Sequence, residues 1–204
     1  MEGVFLGRFN RLTFHIYAIA LAIVLSAGAL AFSQAGIKID NFGRINDSYY
    51  RGAQPKDQDY SDLSTFGIHT VVDLTNGDGD ANEKAMVQKS GMKYFQIPMT
   101  GRIAPTATQI SQFLQIVNDP ANQPVYVHCV AGRHRTGVMT AIYRMSKMGW
   151  TADQAFKEMK QFKFGFDFLH PEFKSFVYDY YGRLVHTAPL AAEQTTISTK
   201  TAIQ

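Results

Sequence analysis

The residues best suited by type and spacing to carry out chemistry lie in the segment HCVAGRHRTG, His128 to Gly137. This segment holds the single cysteine of the 204-residue chain. A strand-like segment precedes this loop, and a helix is predicted to begin near Thr136. Backbone N–H groups at the start of a helix converge on one point and favour an anion there. Gly132 and Gly137 let the main chain approach such an anion, because neither carries a Cβ atom. The spacing therefore predicts a phosphate-binding loop.

The charge pattern of this loop predicts a nucleophilic thiolate. Arg135 offers a planar set of N–H donors that matches two phosphate oxygens. The same positive field lowers the pKa of the Cys129 thiol below the free value of about 8.5. A lone cysteine is more often a small buried hydrophobic residue, but core packing does not require arginine and glycine at these offsets. Cys129 is therefore predicted to attack a bound phosphate.

Around the loop, alternating strand-like and helix-like segments predict an α/β fold with a central, mainly parallel sheet of four or five strands flanked by helices. The predicted strands are SYYRG (48–52), HTVVDLT (69–75), MKYFQIP (92–98) and PVYVHC (124–129). The predicted helices before the loop are DYSDLSTFG (59–67), DGDANEKAMVQKSG (78–91, with Asp80 as N-cap) and TATQISQFLQIV (106–117). The last strand carries Cys129 to the carboxyl edge of the sheet, where ligands bind in open α/β folds.

The pattern His-Cys-x-x-Gly-x-x-Arg-Thr-Gly resembles the signature loop of the cysteine-dependent protein tyrosine and dual-specificity phosphatases. Three further segments, YYRGAQP (49–55), IPMTG (97–101) and DPANQPVYVHC (119–129), look most like the atypical plant-and-fungal-type dual-specificity phosphatases and their bacterial relatives. The resemblance extends over about Asn41 to Tyr181, and it implies a dual-specificity phosphatase-like fold.

The resemblance also implies a two-step reaction. Cys129 would attack phosphorus in line, and water would then hydrolyse the cysteinyl-phosphate. Thr136 would hydrogen-bond the sulfur as it leaves, and His128 would fix the strand end and the thiolate. No metal or other cofactor is implied. The phosphate would be held by the backbone or side chains of Val130, Ala131, Gly132, Arg133, His134 and Arg135.

The residues themselves leave two of these roles open. His128 either tunes the thiolate directly or satisfies backbone groups as a structural histidine. Arg133 and His134 either contact the substrate or form a solvated rim.

One expected group is missing from this sequence. In this superfamily a loop upstream of the cysteine carries an Asp that protonates the departing oxygen, but the corresponding segment here, residues 99–109, contains no acidic residue. Asp73, Asp78 or Asp80 could supply the proton from a neighbouring strand end, or His134 could donate it from within the loop. Alternatively, the leaving group is acidic enough to depart unprotonated, so that general-acid help of about 10² to 10⁴ matters less. A phosphoanhydride or an aryl phosphate meets this condition, and the inositol-pyrophosphate activity of the eukaryotic relatives agrees with it.

The predicted function is thus a phosphatase acting on phosphate monoesters or phosphoanhydrides, with a phosphorylated protein or an inositol phosphate or pyrophosphate as substrate. Two alternatives remain: a catalytically inactive phosphate-binding module and a rhodanese-like sulfurtransferase. The net charge of +3 is small for a nucleic-acid-binding surface, so no nucleic-acid partner is expected. A single cysteine excludes an intrachain disulfide and a thiolate-rich metal site. We expect a monomer.

The N-terminus has the pattern of a targeting segment. Two arginines precede an apolar run from Ile16 to Phe32, and Ala29-Leu30-Ala31 is typical of a signal-peptidase site. We predict a signal peptide over residues 1–31, with Ala35 as the second choice for the last residue removed. An uncleaved membrane anchor is the alternative, because the run is at the lower limit for spanning a bilayer.

Either outcome would place the phosphatase domain, residues 36–185, outside the cytoplasm, in the periplasm or secreted. Any contact with a membrane would be made through the N-terminal segment alone. The polar tail, residues 186–204, lacks a helical apolar stripe and is predicted to be disordered.

Overall fold

Five short strands form one sheet in the computed structural model, which describes the backbone of residues 36–201 and the side chains of residues 36–187. The strands are β1 (Gly43–Asn46), β2 (Tyr49–Gly52), β3 (Thr70–Asp73), β4 (Lys93–Gln96) and β5 (Val125–His128). Their order across the sheet is β1-β2-β5-β3-β4, and all neighbours are parallel except the edge pair β1 and β2. The predicted mainly parallel α/β fold is therefore confirmed, with β1 added as an unpredicted antiparallel edge strand.

Helices cover both faces of this sheet. They are α1 (Asp59–Phe66), α2 (Glu83–Lys89), α3 (Ala107–Asn118), α4 (His134–Met148), α5 (Ala152–Gln161) and α6 (Pro171–Thr201), with 3₁₀ turns at Pro120–Asn122 and Asp167–Leu169. The largest apolar cluster combines α3, α4, α5 and α6 with alternate strand residues, among them Val72, Val127 and Cys129. The intervening strand residues, such as Val71, Tyr126 and His128, are buried outside that cluster. Because strand side chains alternate between faces, Cys129 and His128 lie on opposite sides of the sheet.

Helix α4 is central to the fold because it is buried on all sides. Every residue from Arg135 to Met145 is buried, whereas the amphipathic α3 and α5 expose one face. The helix follows the cysteine loop directly and begins at His134, two residues before the predicted start. Its N-terminus is consequently held rigidly against the sheet edge.

One predicted helix start and the predicted disordered tail differ from the structure. Helix α2 begins at Glu83, not near Asp80, and the Asp80 carboxylate accepts a hydrogen bond from the Asn82 N–H (2.8 Å) in the turn before the helix. Helix α6 continues to Thr201, so the tail predicted to be disordered is helical from residue 186 to that point. Once a helix has formed, each further residue extends it at little cost in free energy. The amino-acid composition of the tail does not show that a helix precedes it.

The predicted signal peptide, residues 1–31, lies outside the described residues. Among residues 36–201, no helix is both long enough and apolar enough to cross a bilayer.

Candidate active site

The phosphate loop, residues 129–135, lies at the carboxyl end of β5 in the middle of the sheet. Strand β5 is paired with β2 on one side and β3 on the other, and His128 is in register with Gly52 and Asp73. The Cys129 side chain is only 3% exposed at the start of the loop. The sheet thus places the thiol at the centre of its edge, as the sequence predicted.

Neighbouring residues hold the carbonyl groups of this loop on its outer side. The Val130 carbonyl accepts a hydrogen bond from the Gln54 N–H (3.2 Å), and the Gly132 carbonyl accepts from Asn41 Nδ2 (2.7 Å) and Arg51 Nη2 (2.5 Å). In the described part of the chain, the N–H groups of the second to fifth loop residues donate to no protein acceptor. Together with the unpaired N–H groups of the first turn of α4, they form a concave anion site.

Gly132 and Gly137 have different roles. Gly132 has a φ of +63°, and a Cβ atom there would overlap the carbonyl group of Gly52 at the end of β2. Glycine at this position therefore permits the close approach of the loop to β2. Gly137 lies inside α4, where a Cβ would come within 3.3 Å of Met159 on α5. The space at Gly137 therefore serves helix packing, and the prediction that Gly137 lets the main chain approach an anion stays a prediction.

The environment of Cys129 favours the thiolate. Burial raises the pKa of the thiol, but the hydroxyl and N–H of Thr136, followed by the charges of Arg135 and His128, outweigh burial. The net result is a pKa below the ordinary value of 9.0. Thr136 and Arg135 thus act on the sulfur from its own side, whereas His128 acts only through its charge from the other face of the sheet.

The guanidinium of Arg135 is held by acceptors on one side and faces the sulfur on the other. Its Nη1 and Nη2 donate to the two carboxylate oxygens of Asp78 (2.9 and 2.7 Å), and Nη1 also donates to the carbonyl of Met99 (3.1 Å) and weakly to that of Leu74 (3.5 Å). Of five N–H donors, the Nε–H and one Nη2–H remain. Burial lowers the pKa of Arg135, but Asp78 and then the Cys129 sulfur raise it above the ordinary value. The free edge can take two phosphate oxygens.

Asp78 is a carboxylate rather than a proton donor in this arrangement. The hydrogen bonds from Arg135 lower its pKa to about 2, although burial acts in the opposite direction. Asp78 is therefore ionised at neutral pH, and its contact with Arg135 orients the guanidinium. The structure brings Asp78 to the site, but as a partner of Arg135.

Asp73 is not brought to the phosphate loop. It lies beside His128 on the face of the sheet opposite Cys129, because side chains alternate along β3 and β5. Its carboxylate is saturated by four donors: the N–H and hydroxyl of Thr75, the hydroxyl of Tyr94 and Nε2 of Gln96. This geometry does not favour the predicted catalytic role of Asp73.

His134 supports the loop from the outside. Its Nε2 lies 2.9 Å from the carbonyl of Phe164, and its ring packs on His170 with the centroids 3.6 Å apart. A carbonyl oxygen can only accept, so Nε2 carries the proton and donates it to Phe164. Burial lowers the pKa of His134 below its ordinary value. A neutral imidazole with its proton engaged is poorly placed to act as the missing acid.

Glu83 is a site residue that the sequence did not reveal. Its Oε1 lies 2.8 Å from Nε2 of His128, and both side chains are at most 1% exposed. Burial lowers the pKa of His128, but the hydrogen bond and charge of Glu83 raise it above the ordinary value of 6.5. In the sequence, Glu83 was visible only as part of a helix start. Its partner is distant in the chain, so no local signal marks the pair.

The side chains of Asp73, Glu83 and His128 also form the one group of potential metal ligands found among the described residues, with donor atoms within 4.8 Å of one another. Asp73 already accepts four hydrogen bonds, and Glu83 faces His128. This bonding favours an ion-pair cluster over a metal site.

Exposed apolar side chains follow the segment that contacts His134. Phe166 and Phe168 stack on each other with centroids 5.6 Å apart and are 68% and 74% exposed. They follow Phe164, whose carbonyl contacts His134 of the loop. Val130 in the loop and Ile103 in the segment that lacks an acid are also exposed.

Comparison with known proteins agrees with this geometry. The family model described as "DSP-PTPase phosphatase fused to NAD+ Kinase" matches residues 38–172. The inositol diphosphatase SIW14 of Saccharomyces cerevisiae is 27% identical over 130 residues, which cover 61% of this chain and 46% of that protein. The dual specificity protein phosphatase TpbA of Pseudomonas aeruginosa is 28% identical over 135 residues, which cover 66% of this chain and 60% of that protein. The chain thus spans about half the length of these relatives.

Solved structures show the same fold. The catalytic domain of S. cerevisiae SIW14, in complex with citrate, superposes with a TM-score of 0.63 at 23% identity, covering 79% of this chain and 96% of that chain. A variant of P. aeruginosa TpbA in complex with phosphotyrosine superposes with a TM-score of 0.60 at 25% identity, covering 72% of this chain and 91% of that chain.

Proposed function

This chain belongs to the DSP-PTPase phosphatase family, and we propose that it hydrolyses phosphate monoesters or phosphoanhydrides with Cys129 as the nucleophile. The observation that carries the proposal is the convergence on one buried thiol of free loop N–H groups and the free edge of Arg135. A binding-only module would not need a thiol with a lowered pKa. A sulfurtransferase would not need a guanidinium edge suited to phosphate.

In the first step, the Cys129 thiolate attacks phosphorus in line with the departing oxygen. The S–P bond forms as the P–O bond breaks, and the departing oxygen takes the electron pair of that bond. The loop N–H groups and Arg135 hold the three other oxygens, where they stabilise the charge of the transition state.

In the second step, water attacks the phosphorus of the cysteinyl-phosphate. The S–P bond breaks, and inorganic phosphate leaves after the water loses a proton. The hydroxyl of Thr136, which is buried and has no other hydrogen-bond partner among the described residues, is proposed to donate a hydrogen bond to the thiolate as it departs.

The leaving group is proposed to depart without protonation. Asp78 is ionised, Asp73 lies on the other face of the sheet, and His134 donates its proton to Phe164. A phenol with a pKa of about 10 leaves as an anion far more readily than an aliphatic alcohol, whose pKa is close to the ~15.7 of water. Aryl phosphates and phosphoanhydrides are therefore the favoured substrates.

Between these two classes, we propose an aryl phosphate such as phosphotyrosine in a protein, with Phe166 and Phe168 at the rim of the site. The stacked pair Phe166 and Phe168 offers apolar surface to an aromatic ring and its neighbours. A highly phosphorylated inositol would instead require several unpaired cations.

Three lysines near the loop are paired with carboxylates, whereas Arg133 and Arg102 form no ion pair among the described residues. Lys163 donates to Asp40, the neighbour of the loop contact Asn41. Lys160 and Lys174 both donate to Asp167, which lies between the two rim phenylalanines. These pairs reduce the positive charge available to a polyanion.

The proposal is tested by measuring phosphate release from a phosphotyrosine peptide, a phosphoserine peptide and an inositol pyrophosphate. We expect turnover of the phosphotyrosine peptide to be fastest and that of the phosphoserine peptide slowest. Replacing Cys129 with Ser should lower turnover by at least about 10⁴-fold without preventing substrate binding. Equal rates on the two peptides would show that a conventional acid exists, and turnover by the Cys129→Ser protein would refute the mechanism.

The rim is tested by the double substitution Phe166→Ser and Phe168→Ser. We expect KM for the phosphotyrosine peptide to rise while kcat changes little, because the rim binds substrate without touching the reacting atoms. Met148→Ser is the control, since Met148 is similarly apolar and 41% exposed but lies at the far end of α4. An increase in KM for inositol pyrophosphate alone would contradict the choice of substrate.

We also propose that the domain is exported. The support is the apolar run from Ile16 to Phe32 and the pattern Ala29-Leu30-Ala31. N-terminal sequencing of the protein recovered from cells should begin after Ala31. An intact N-terminus in the membrane fraction would identify the anchor alternative, and recovery from the cytoplasm would contradict export.

A further inference from the structure

We propose that Glu83 is a positioning residue that keeps the Cys129 thiolate reactive by holding His128 as an imidazolium. The inference rests on the proposed function, since it assigns a part in the same reaction to a residue on the opposite face of the sheet.

The first observation is the isolation of the pair from water. His128 is fully buried, and Glu83, in the first turn of α2, is 1% exposed. Glu83 Oε1 and His128 Nε2 lie 2.8 Å apart as an ion pair, and neither of these atoms nor His128 Nδ1 has another hydrogen-bond partner in the described structure. A buried charge of either sign is costly unless an opposite charge lies against it, so each group requires the other.

The second observation is the set of charges around His128. Glu83 faces it from α2, Asp73 from the end of β3 and Cys129 from the next position in the chain. Asp73 is engaged by four donors of its own, and Glu83 is the carboxylate in direct contact with the imidazole, so Glu83 comes before Asp73 among the groups that raise the pKa of His128. A positive imidazole one residue from the sulfur lowers the pKa of the thiol.

The third observation is a second connection between Glu83 and the phosphate loop. Gln54 donates from Nε2 to Glu83 Oε2 (2.6 Å), and its backbone N–H donates to the Val130 carbonyl (3.2 Å). Glu83 is therefore linked to the loop both through His128 and through Gln54. Movement of α2 would be transmitted to the loop backbone by the same contacts.

The test is the substitution Glu83→Gln, which keeps the size of the side chain and one acceptor oxygen but removes its charge. We expect the ultraviolet titration of the Cys129 thiolate to shift to higher pH. The acidic limb of the pH profile of kcat/KM should shift with it. Below the new midpoint, kcat/KM should be roughly threefold to tenfold lower than in the unsubstituted protein, and above it kcat/KM should change little. A purely structural role would lower kcat or stability at every pH without moving the midpoint.

The matched control is Glu172→Gln, because Glu172 faces a histidine in the same way, with its Oε1 3.3 Å from Nδ1 of His170, outside the phosphate loop. This variant should leave the thiolate titration unchanged. If the Glu83→Gln protein does not fold, the pH titration of His128 followed by NMR in the unsubstituted protein serves instead. We expect His128 to be protonated at neutral pH, and a neutral His128 would overturn the inference.

The two proposals fail separately. Suppose that the unsubstituted protein releases phosphate through Cys129 but that the midpoint of the thiolate titration does not shift in Glu83→Gln. The role of Glu83 is then refuted, and the proposed function stands. Phosphate release that persists in Cys129→Ser removes the proposed function itself.

Discussion

At the scale of single residues, the chemistry depends on where two carboxylates lie relative to the phosphate loop. Asp78 approaches the loop and forms two hydrogen bonds with Arg135, whereas Asp73 lies beside His128 behind the sheet. Asp73 is the last residue of β3 and shares the face of His128, with which it is in register. Asp78 lies five residues further on, in the loop between β3 and α2, and this loop carries its carboxylate to Arg135.

Asp78→Asn should lower kcat/KM by roughly tenfold to a hundredfold, because Arg135 loses its charged anchor and its free edge is less well aligned with phosphate. The basic limb of the pH profile should stay unchanged, since Asp78 is already ionised, with a pKa of about 2. Asp80→Asn, in the same loop, is the control. Loss of the basic limb in the Asp78 variant would show that this residue is the general acid after all.

The pH dependence of the thiol is the second prediction at this scale. Because the pKa of Cys129 is lowered, the thiolate is present above that lowered pKa and is lost as the pH falls through it. Thr136→Val removes the hydroxyl and should move the ultraviolet midpoint to higher pH and slow hydrolysis of the cysteinyl-phosphate. Cys129→Ser gives the background absorbance. A parent midpoint at the ordinary value of a cysteine would contradict the lowered pKa.

At the scale of elements, the phosphate loop depends on contacts with β2 as much as on α4. Arg51, buried and stacked 4.1 Å from the Phe162 ring, donates to the Gly132 carbonyl. Gly132 itself touches the backbone of Gly52. The loop is therefore shaped from outside by an element that carries no catalytic group.

Gly132→Ala should destabilise the protein and abolish phosphate binding. The positive φ alone costs about 1–2 kcal/mol for a residue with a Cβ atom, and the overlap with Gly52 adds to this. Gly91→Ala is the matched control, because Gly91 has a φ of +79° but open space around it. Urea unfolding and phosphate binding would be measured on both. Equal effects would show that the approach to β2 is unimportant.

At the scale of the whole molecule, a buried ion pair joins the helical layer to the edge of the sheet. Arg144 on α4 donates to Glu158 on α5 and to the carbonyl of Ile45 in β1, and it stacks on Trp150. This cluster lies nine residues along α4 from Arg135, about 14 Å away. It therefore stabilises the fold without contacting the site.

Arg144→Met should lower the free energy of unfolding by about 3–5 kcal/mol, because Glu158 would be left as an unpaired buried charge. Arg44→Met, which breaks the exposed pair with Asp47, should cost at most about 1 kcal/mol. Urea denaturation measures both. The folded Arg144 variant should retain its kcat, and a large loss of kcat at full folding would contradict the separation of this cluster from the site.

The parts of the molecule that could be predicted are those encoded in continuous segments. The anion site of residues 129–135 follows from a strand, a turn and a helix start within one stretch, since backbone N–H groups converge there whatever the rest of the chain does. The mainly parallel sheet followed from alternating segments in the same way. Strand β1 was missed because Gly43–Asn46 is short and lacks an apolar alternation.

The pairings across the fold depended on tertiary structure. Nothing near Asp78 in the chain marks it as the partner of Arg135, and nothing near Glu83 marks it as the partner of His128. Hydrogen bonds and ion pairs act over a few ångströms, so which distant carboxylate meets which cation depends on strand order and on the face to which each side chain points. The nucleophile and the groups that lower its pKa are therefore a property of local sequence, whereas the carboxylates that hold Arg135 and face His128 are brought there by the tertiary fold.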